Sequence, residues 1–363
     1  MNFIFGTGSN GLSFLKSTKM KISYFVDNDR NLWGKSFNSI KCISPSELKK
    51  KKINKIIIAT PAIENIKSQL DLMKISKRKI IVSPELLVNI DNLPNKKFLV
   101  SVNGINGGIY KLNTSKKTFK RVFRGSTRGI VKIKDSYVCV DEDKGILVLN
   151  KSFKVIKTKE LSYMSNPHSI DFDEKNSVIY VVISALDCVF KISYPSLKIL
   201  KKIYIFKANL YDKHHINGIK YQNESLYLSM FSFKGIFRKD IWNDGCIIKY
   251  NLKTNKKKII KKNLFQPHSV QLDNKSIHVC NSMKFEILLN LKNKNQLNGY
   301  LRGLLVNKDY ILVGMSKVRR LNRFNSFKKY ISQDAGVVFL DRKRKTSNYF
   351  TIPVSEVYDI INY

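Results

Sequence analysis

The chain has 363 residues, 43% of them apolar, which suits folded domains with a large core and excludes a disordered polymer. No apolar run approaches the ~20 residues that cross a bilayer, so no membrane span is expected. Basic residues outnumber acidic ones 66 to 27, a net charge of +39, but lysine far exceeds arginine and falls largely in turns, the pattern of solvated charge rather than of a base-reading surface.

The start of the chain lacks a basic flank and an export-type apolar core, so no signal peptide is expected. Residues 2–5 form a short apolar run that meets Gly6-Thr7-Gly8-Ser9-Asn10-Gly11. A helix is predicted over 12–17 and a strand over 22–26, ending at Asp27. That order is the glycine fingerprint of a dinucleotide fold, with an acid about 20 residues on. In it Gly6 permits the tight turn, Gly8 lets a phosphate approach the backbone, Gly11 lets helix pack on strand, and Asp27 accepts ribose hydroxyls. These four are the candidate cofactor-binding residues, although no particular cofactor follows from them. Strands over 56–59 and 79–82, with a helix over 63–73 between them, complete a small parallel α/β sheet, Rossmann-like and about half of a full dinucleotide fold. The polar, proline-bearing stretch 91–97 marks a boundary, giving domains 1–93 and 98–363.

Several segments here carry a resemblance: Gly6 to Gly11, Tyr24-Phe25-Val26-Asp27-Asn28-Asp29, Trp33-Gly34, Ile43-Ser44-Pro45-Ser46-Glu47-Leu48 and Ile56-Ile57-Ile58-Ala59. Together they resemble the N-terminal Rossmann-like domain of bacterial sugar O-acyltransferases, over residues 1 to about 85. The resemblance implies a domain that holds a nucleotide sugar.

From residue 98 onward the chain repeats. Asn166-Pro167-His168-Ser169-Ile170 recurs as Gln266-Pro267-His268-Ser269-Val270. Looser copies begin at Arg128, Asn217, Arg302 and Tyr358: a polar or aromatic lead, then a small residue (Asp359 in the last copy), then aliphatics. The leads recur about every 46 residues, the period of a four-stranded propeller blade. Three strands stand before the first lead, over 98–102, 108–113 and 119–123, and one stands alone at 356–363. Three plus one make a sixth blade, so the chain is read as a six-bladed β-propeller closed by its C-terminal strand. The fold class is α/β plus all-β. The blades that begin at Arg128, His168, Asn217, His268 and Arg302 are called A to E below, and the sixth the closing blade.

In a propeller the first residues of the inner strands ring one mouth of the central channel. The ring expected here is Arg128, His168, Asn217, His268, Arg302 and Tyr358. Two long loops, 230–244 and 315–334, open on the same face, the second with Lys317, Arg319, Arg320 and Arg323. The arginine pair suits a carboxylate or phosphate. Arg128, Asn217, His215, Arg302, Lys317, Arg319 and Tyr358 are therefore candidate substrate-binding residues. His168 and His268 are candidate proton-transfer residues. The ring shows no clear carboxylate and two arginines oppose a cation, so no metal is assigned, with Glu356 as the one acid in reach.

Pro167-His168-Ser169-Ile170, His215-Ile216-Asn217-Gly218-Ile219, Pro267-His268-Ser269-Val270, Leu301-Arg302-Gly303-Leu304 and Gly336-Val337-Val338 resemble an uncharacterised bacterial propeller family that carries a domain-of-unknown-function label. More remotely, the Pro-His-x-Ile repeat is similar to streptogramin lyases, whose catalytic acid has no matching position here. Five scattered cysteines without a CxxC pair point to a reducing, cytoplasmic setting. The expected function is a cytoplasmic protein of bacterial surface-glycan or related sugar metabolism. Its expected partner is an anionic sugar or nucleotide sugar at the mouth. The alternative is a non-catalytic scaffold or glycan-binding propeller. A nucleic-acid-associated protein is a third reading, which rests on charge alone.

Overall fold

The computed structural model describes residues 1–87, 93–207, 211–239, 241–273, 276–319, 321–324 and 330–363, without the side chains of 85, 87, 163, 322 and 323. Two compact units emerge, Met1–Pro94 and Asn95–Tyr363.

The first unit is built on Asn2–Phe5, which pairs in parallel with Tyr24–Val26 on one side and Lys55–Ile58 on the other. Ile80–Val82 and Ile40–Ile43 extend the sheet in parallel, and Ser36–Phe37 adds an antiparallel edge. The sheet is thus mixed, where a purely parallel one was expected. The edge is a hairpin whose turn, Asn38-Ser39, holds φ of 46° and 65°. The first helix runs Ser9–Ser17, three residues earlier than expected, and the second Ile63–Leu72. Phe3, Ile4, Phe25, Ile56 and Ile57 are fully buried, because a parallel sheet covered on both faces needs apolar side chains on both.

The second unit is six four-stranded antiparallel sheets. The inner strands of blades A to E are Thr127–Ile133, Pro167–Asp173, Ile216–Gln222, Pro267–Asp273 and Tyr300–Val306. The sixth inner strand is Glu356–Asn362, which pairs antiparallel with Lys97–Asn103, from Glu356 opposite Asn103 to Asn362 opposite Phe98. The expected three-plus-one closure is what the ring shows. Ile130, Ile170, Ile219, Val270, Leu304 and Ile360 hold equivalent places on the six inner strands and are buried between blades.

The repeat has a physical origin. In all six blades the register between inner and second strand shifts at the motif, between Thr127 and Ile130, Pro167 and Ile170, Ile216 and Gly218, His268 and Gln271, Arg302 and Leu304, and Val357 and Asp359. A bulge re-aims the residue beside it. Here it sets the lead residue at the channel and brings the next residue against the neighbouring inner strand. A Cβ on Gly129 would lie 2.8 Å from the Ile170 nitrogen. Gly303 adopts φ +66°, a left-handed value that glycine tolerates at least cost. A small residue after each lead is therefore a steric demand of six strands around a narrow axis.

Four serines then tie blade to blade. Ser101 donates to the Arg128 carbonyl, Ser184 to that of Ile216 (2.5 Å), Ser282 to that of Leu301 (2.6 Å) and Ser316 to that of Val357 (3.2 Å).

Removing residues 356–363 strips the innermost strand from the closing blade and exposes the edge of Lys97–Asn103. The truncated chain is expected to lose its cooperative propeller transition in thermal melting and to become insoluble. An unchanged melt with full solubility would contradict the closure.

Candidate functional site

The six leads are shared between two cavities. Arg128, His168, Arg302 and Tyr358 line a mouth cavity of about 530 Å³. Asn217 and His268 line a second cavity of about 20 Å³ further along the channel, and His168 and Tyr358 border both. The long loops contribute to the mouth as expected, through Phe231, Phe237 and Arg238 from one and Lys317, Val318, Arg319 and Phe324 from the other. Arg320 lies outside the described residues, as does the side chain of Arg323.

Two carboxylates stand against the arginines of the mouth, Glu356, which the sequence offered, and Glu142. Arg128 pairs with Glu142 (2.5 Å) and donates to the Asn166 side chain (2.5 Å) and the Pro167 carbonyl (2.9 Å). Arg302 pairs with Glu356 (3.0 Å), and Arg319 closes on the same carboxylate. Burial alone would raise Glu356, but Arg302 and Arg319 outweigh it and hold its carboxyl below the usual range. Both guanidiniums also lie by the ring of Tyr358, at 5.5 Å for Arg128 and 4.7 Å for Arg302. Arg128 and Arg302 are buried, and the Nε–H of each has no acceptor among the described residues. Lys317 is exposed at the rim.

Three histidines gather here. The ring of His168 lies 5.7 Å from that of His215, 6.3 Å from that of His268 and 5.2 Å from that of Tyr358. Burial, and then Arg128, hold His168 well below the usual imidazole range; burial and Arg302 do the same for His268. Both are therefore neutral at pH 7. His215 takes a different setting: its Nδ1 meets the Asp212 carboxylate at 2.9 Å, and its ring packs against both Phe231 and Phe237, each 4.5 Å away. The Asp212–His215 pair was not visible in the sequence as a unit. His214 points elsewhere, stacked on Phe206 at 3.6 Å with Nδ1 on the Ser232 carbonyl. Among the described residues no group of three or more His, Cys, Asp and Glu is placed to hold a metal ion.

Deeper in the channel Lys220 meets Asp171 at 3.4 Å. Asp359 occupies the bulge of the closing strand, where its carboxylate accepts from the backbone N–H of Ile130 (3.2 Å) and Ile360 (2.9 Å).

In the N-terminal unit Gly6 has φ +110°, and a Cβ on Gly11 would strike the Gly6 carbonyl at 2.1 Å. Gly8 caps the first helix and faces open space. The Asp27 carboxylate is largely engaged: Oδ2 accepts from the Thr7 backbone (3.0 Å) and hydroxyl (2.9 Å), and Oδ1 from the Asp29 backbone (3.1 Å). It buckles the glycine loop, and one lone pair remains on Oδ1.

Burial raises the Asp359 carboxyl to about 6, against Lys220 and the two backbone donors. That is above the unfolded value of about 3.9. The folded state therefore binds the extra proton between the two values, and this group's contribution to stability is full below about pH 4 and lost as pH rises through about 6. Urea midpoints at pH 5 and 7.5 should differ between the wild type and Asp359→Asn, the wild type gaining on the variant at pH 5. A wild-type advantage that does not change with pH would contradict the buried-carboxyl setting.

Residues 120–362 match the family model described as Domain of unknown function (DUF4915), and residues 2–81 match the model C2185-like, N-terminal. No curated protein matches the chain. Among solved structures, a protein of unknown function from Bacteroides caccae is similar at 10% identity and TM-score 0.54, over 73% of this chain and 98% of that one. A chain of a nidogen/laminin complex is similar at 14% identity and TM-score 0.52, over 73% and 97%. At these identities the likeness shows the fold alone. No helix among the described residues is long and apolar enough to cross a membrane. With its matched residues spanning five of the six blades and the whole closing strand, the chain belongs to the DUF4915 family.

Proposed function

We propose that the propeller mouth binds a small molecule carrying a carboxylate or phosphate. One observation carries this: Arg128 and Arg302 are buried beside the same Tyr358 ring, and each keeps an Nε–H without an acceptor among the described residues. Leaving a buried donor unpaired costs about 1–3 kcal/mol, a cost that an anionic ligand removes. The lining supports the sign. Arg128, Arg238, Arg302, Lys317 and Arg319 line the cavity with Glu142, while Glu356 pairs with Arg302 and Arg319 outside that lining. The apolar part of the lining supports a sugar ring, because Phe231, Phe237, Tyr300 and Phe324 offer aromatic faces on which C–H groups pack. The ligand class is therefore an anionic sugar or nucleotide sugar, of the kind handled in bacterial surface-glycan or related sugar metabolism.

The test is a calorimetric screen of acidic sugars and sugar phosphates against the wild type, Arg128→Ala and Arg302→Lys. Each substitution is expected to weaken binding about ten- to a hundred-fold, since a charge-assisted hydrogen bond contributes ~1.5–3 kcal/mol. Lysine does not restore Arg302, because it cannot present a planar fork beside Glu356. A ligand indifferent to both changes would place binding elsewhere.

For the N-terminal unit we infer a Rossmann-like phosphate loop that takes a nucleotide. The positive φ of Gly6, the open space at Gly8 and the close contact at Gly11 support it. Asp27 would act there chiefly by holding the loop. Titration with uridine-diphosphate sugars and nicotinamide dinucleotides should give heat that Gly8→Val abolishes. Heat with none of them would leave the unit a docking domain.

A further inference from the structure

The small cavity beneath the mouth joins two groups that the anion reading does not use. Asn217 is buried, and its Oδ1 accepts from the Ser229 hydroxyl at 2.7 Å, which leaves Nδ2 as a donor without a partner. His268 is equally buried. The hydroxyl proton of Ser282 goes to the Leu301 carbonyl (2.6 Å), so Ser282 Oγ accepts from His268 Nδ1 at 2.8 Å. That fixes the proton on Nδ1 and leaves Nε2 a bare lone pair, also without a partner. Asn217 and His268 both line one space of about 20 Å³, which is the size of one water.

We propose that Asn217 and His268 hold a water beneath the mouth, and that His268 activates it to hydrolyse a carboxylic ester of the anionic ligand. The inference rests on the anion reading, which places the substrate against Arg128 and Arg302. The Asn217 amide donates to the water oxygen, and the water donates to His268 Nε2. As the water oxygen bonds to the acyl carbon, its proton passes to Nε2. Charge gathers on the carbonyl oxygen while the guanidinium pair holds the ligand's anionic group. When the acyl C–O bond breaks, the imidazolium returns that proton to the leaving alkoxide. The products are a carboxylic acid and an alcohol, and no oxidant or further reactant is consumed. A planar acyl carbon suits the pair, because it needs only one base-activated water. Burial keeps His268 in its base form below the usual imidazole range, so the acid limb of the rate should fall below pH 6.5.

Two probes separate this step from the binding beneath it. Mono-4-nitrophenyl succinate is the ester, 4-nitrophenyl butyrate its uncharged counterpart, and succinamic acid a non-hydrolysable anion for calorimetry. The full chain is expected to bind succinamic acid and to hydrolyse the succinate ester at least ~10-fold faster than the butyrate in kcat/KM. His268→Gln should lower kcat about 100-fold or more with KM within a few-fold, and Asn217→Leu should lower kcat in the same direction. The wild-type pH profile is read independently, so a variant that fails to fold leaves the test intact. Binding of succinamic acid without ester hydrolysis overturns the hydrolytic step and leaves the anion site standing. A folded His268→Gln with wild-type kcat, or a wild-type acid limb at or above pH 6.5, overturns it as well. Neither binding nor hydrolysis overturns both.

Discussion

Everything at the mouth depends on the pairing of Glu356–Asn362 with Lys97–Asn103. This one ladder closes the ring, and the strand that makes it also delivers three residues to the site. Glu356 is the carboxylate that Arg302 and Arg319 share, Tyr358 is the ring beside both buried guanidiniums, and Asp359 fills the last bulge. Closure and site are one feature of the chain. A ring open at this point would lose its sixth inner strand and the centre of its charge arrangement together.

The electrostatics follow from that geometry. Burying an arginine is costly unless the charge is paired, and here each buried guanidinium has one carboxylate, Glu142 for Arg128 and Glu356 for Arg302. The pairing neutralises the guanidiniums without using all their donors. What remains is a basic cavity whose unpaired N–H groups are preorganised, beside imidazoles that burial and the same arginines keep uncharged. Cation, neutral base and aromatic face then lie within one mouth of about 530 Å³.

Much of this was legible in the sequence because sterics had written it there. The bulge at each inner strand demands a small residue and sets a polar one at the channel, and that is the repeat seen at Arg128, His168, Asn217, His268, Arg302 and Tyr358. The closing blade was legible from the strand count. The division of the leads between two cavities was not: which cavity a lead lines depends on side-chain direction, which no spacing encodes. Partners across turns were equally hidden. Nothing in Glu142 announced it as the mate of Arg128, and nothing in His215 announced Asp212. In the N-terminal unit the hairpin at Asn38-Ser39 escaped because that dipeptide is a weaker turn signal than Asn-Gly. The engaged carboxylate of Asp27 shows that a motif position can serve its own loop before any ligand.

The central claim is that Arg128 and Arg302, brought together by the closing strand, form one anion site. The most direct measurement is anomalous diffraction from crystals of the full chain grown with tungstate. The account predicts a tungsten peak in the mouth, within hydrogen-bond distance of both guanidiniums and lost in Arg302→Lys. Tungsten found only on surface lysines, with nothing between Arg128 and Arg302, would contradict it.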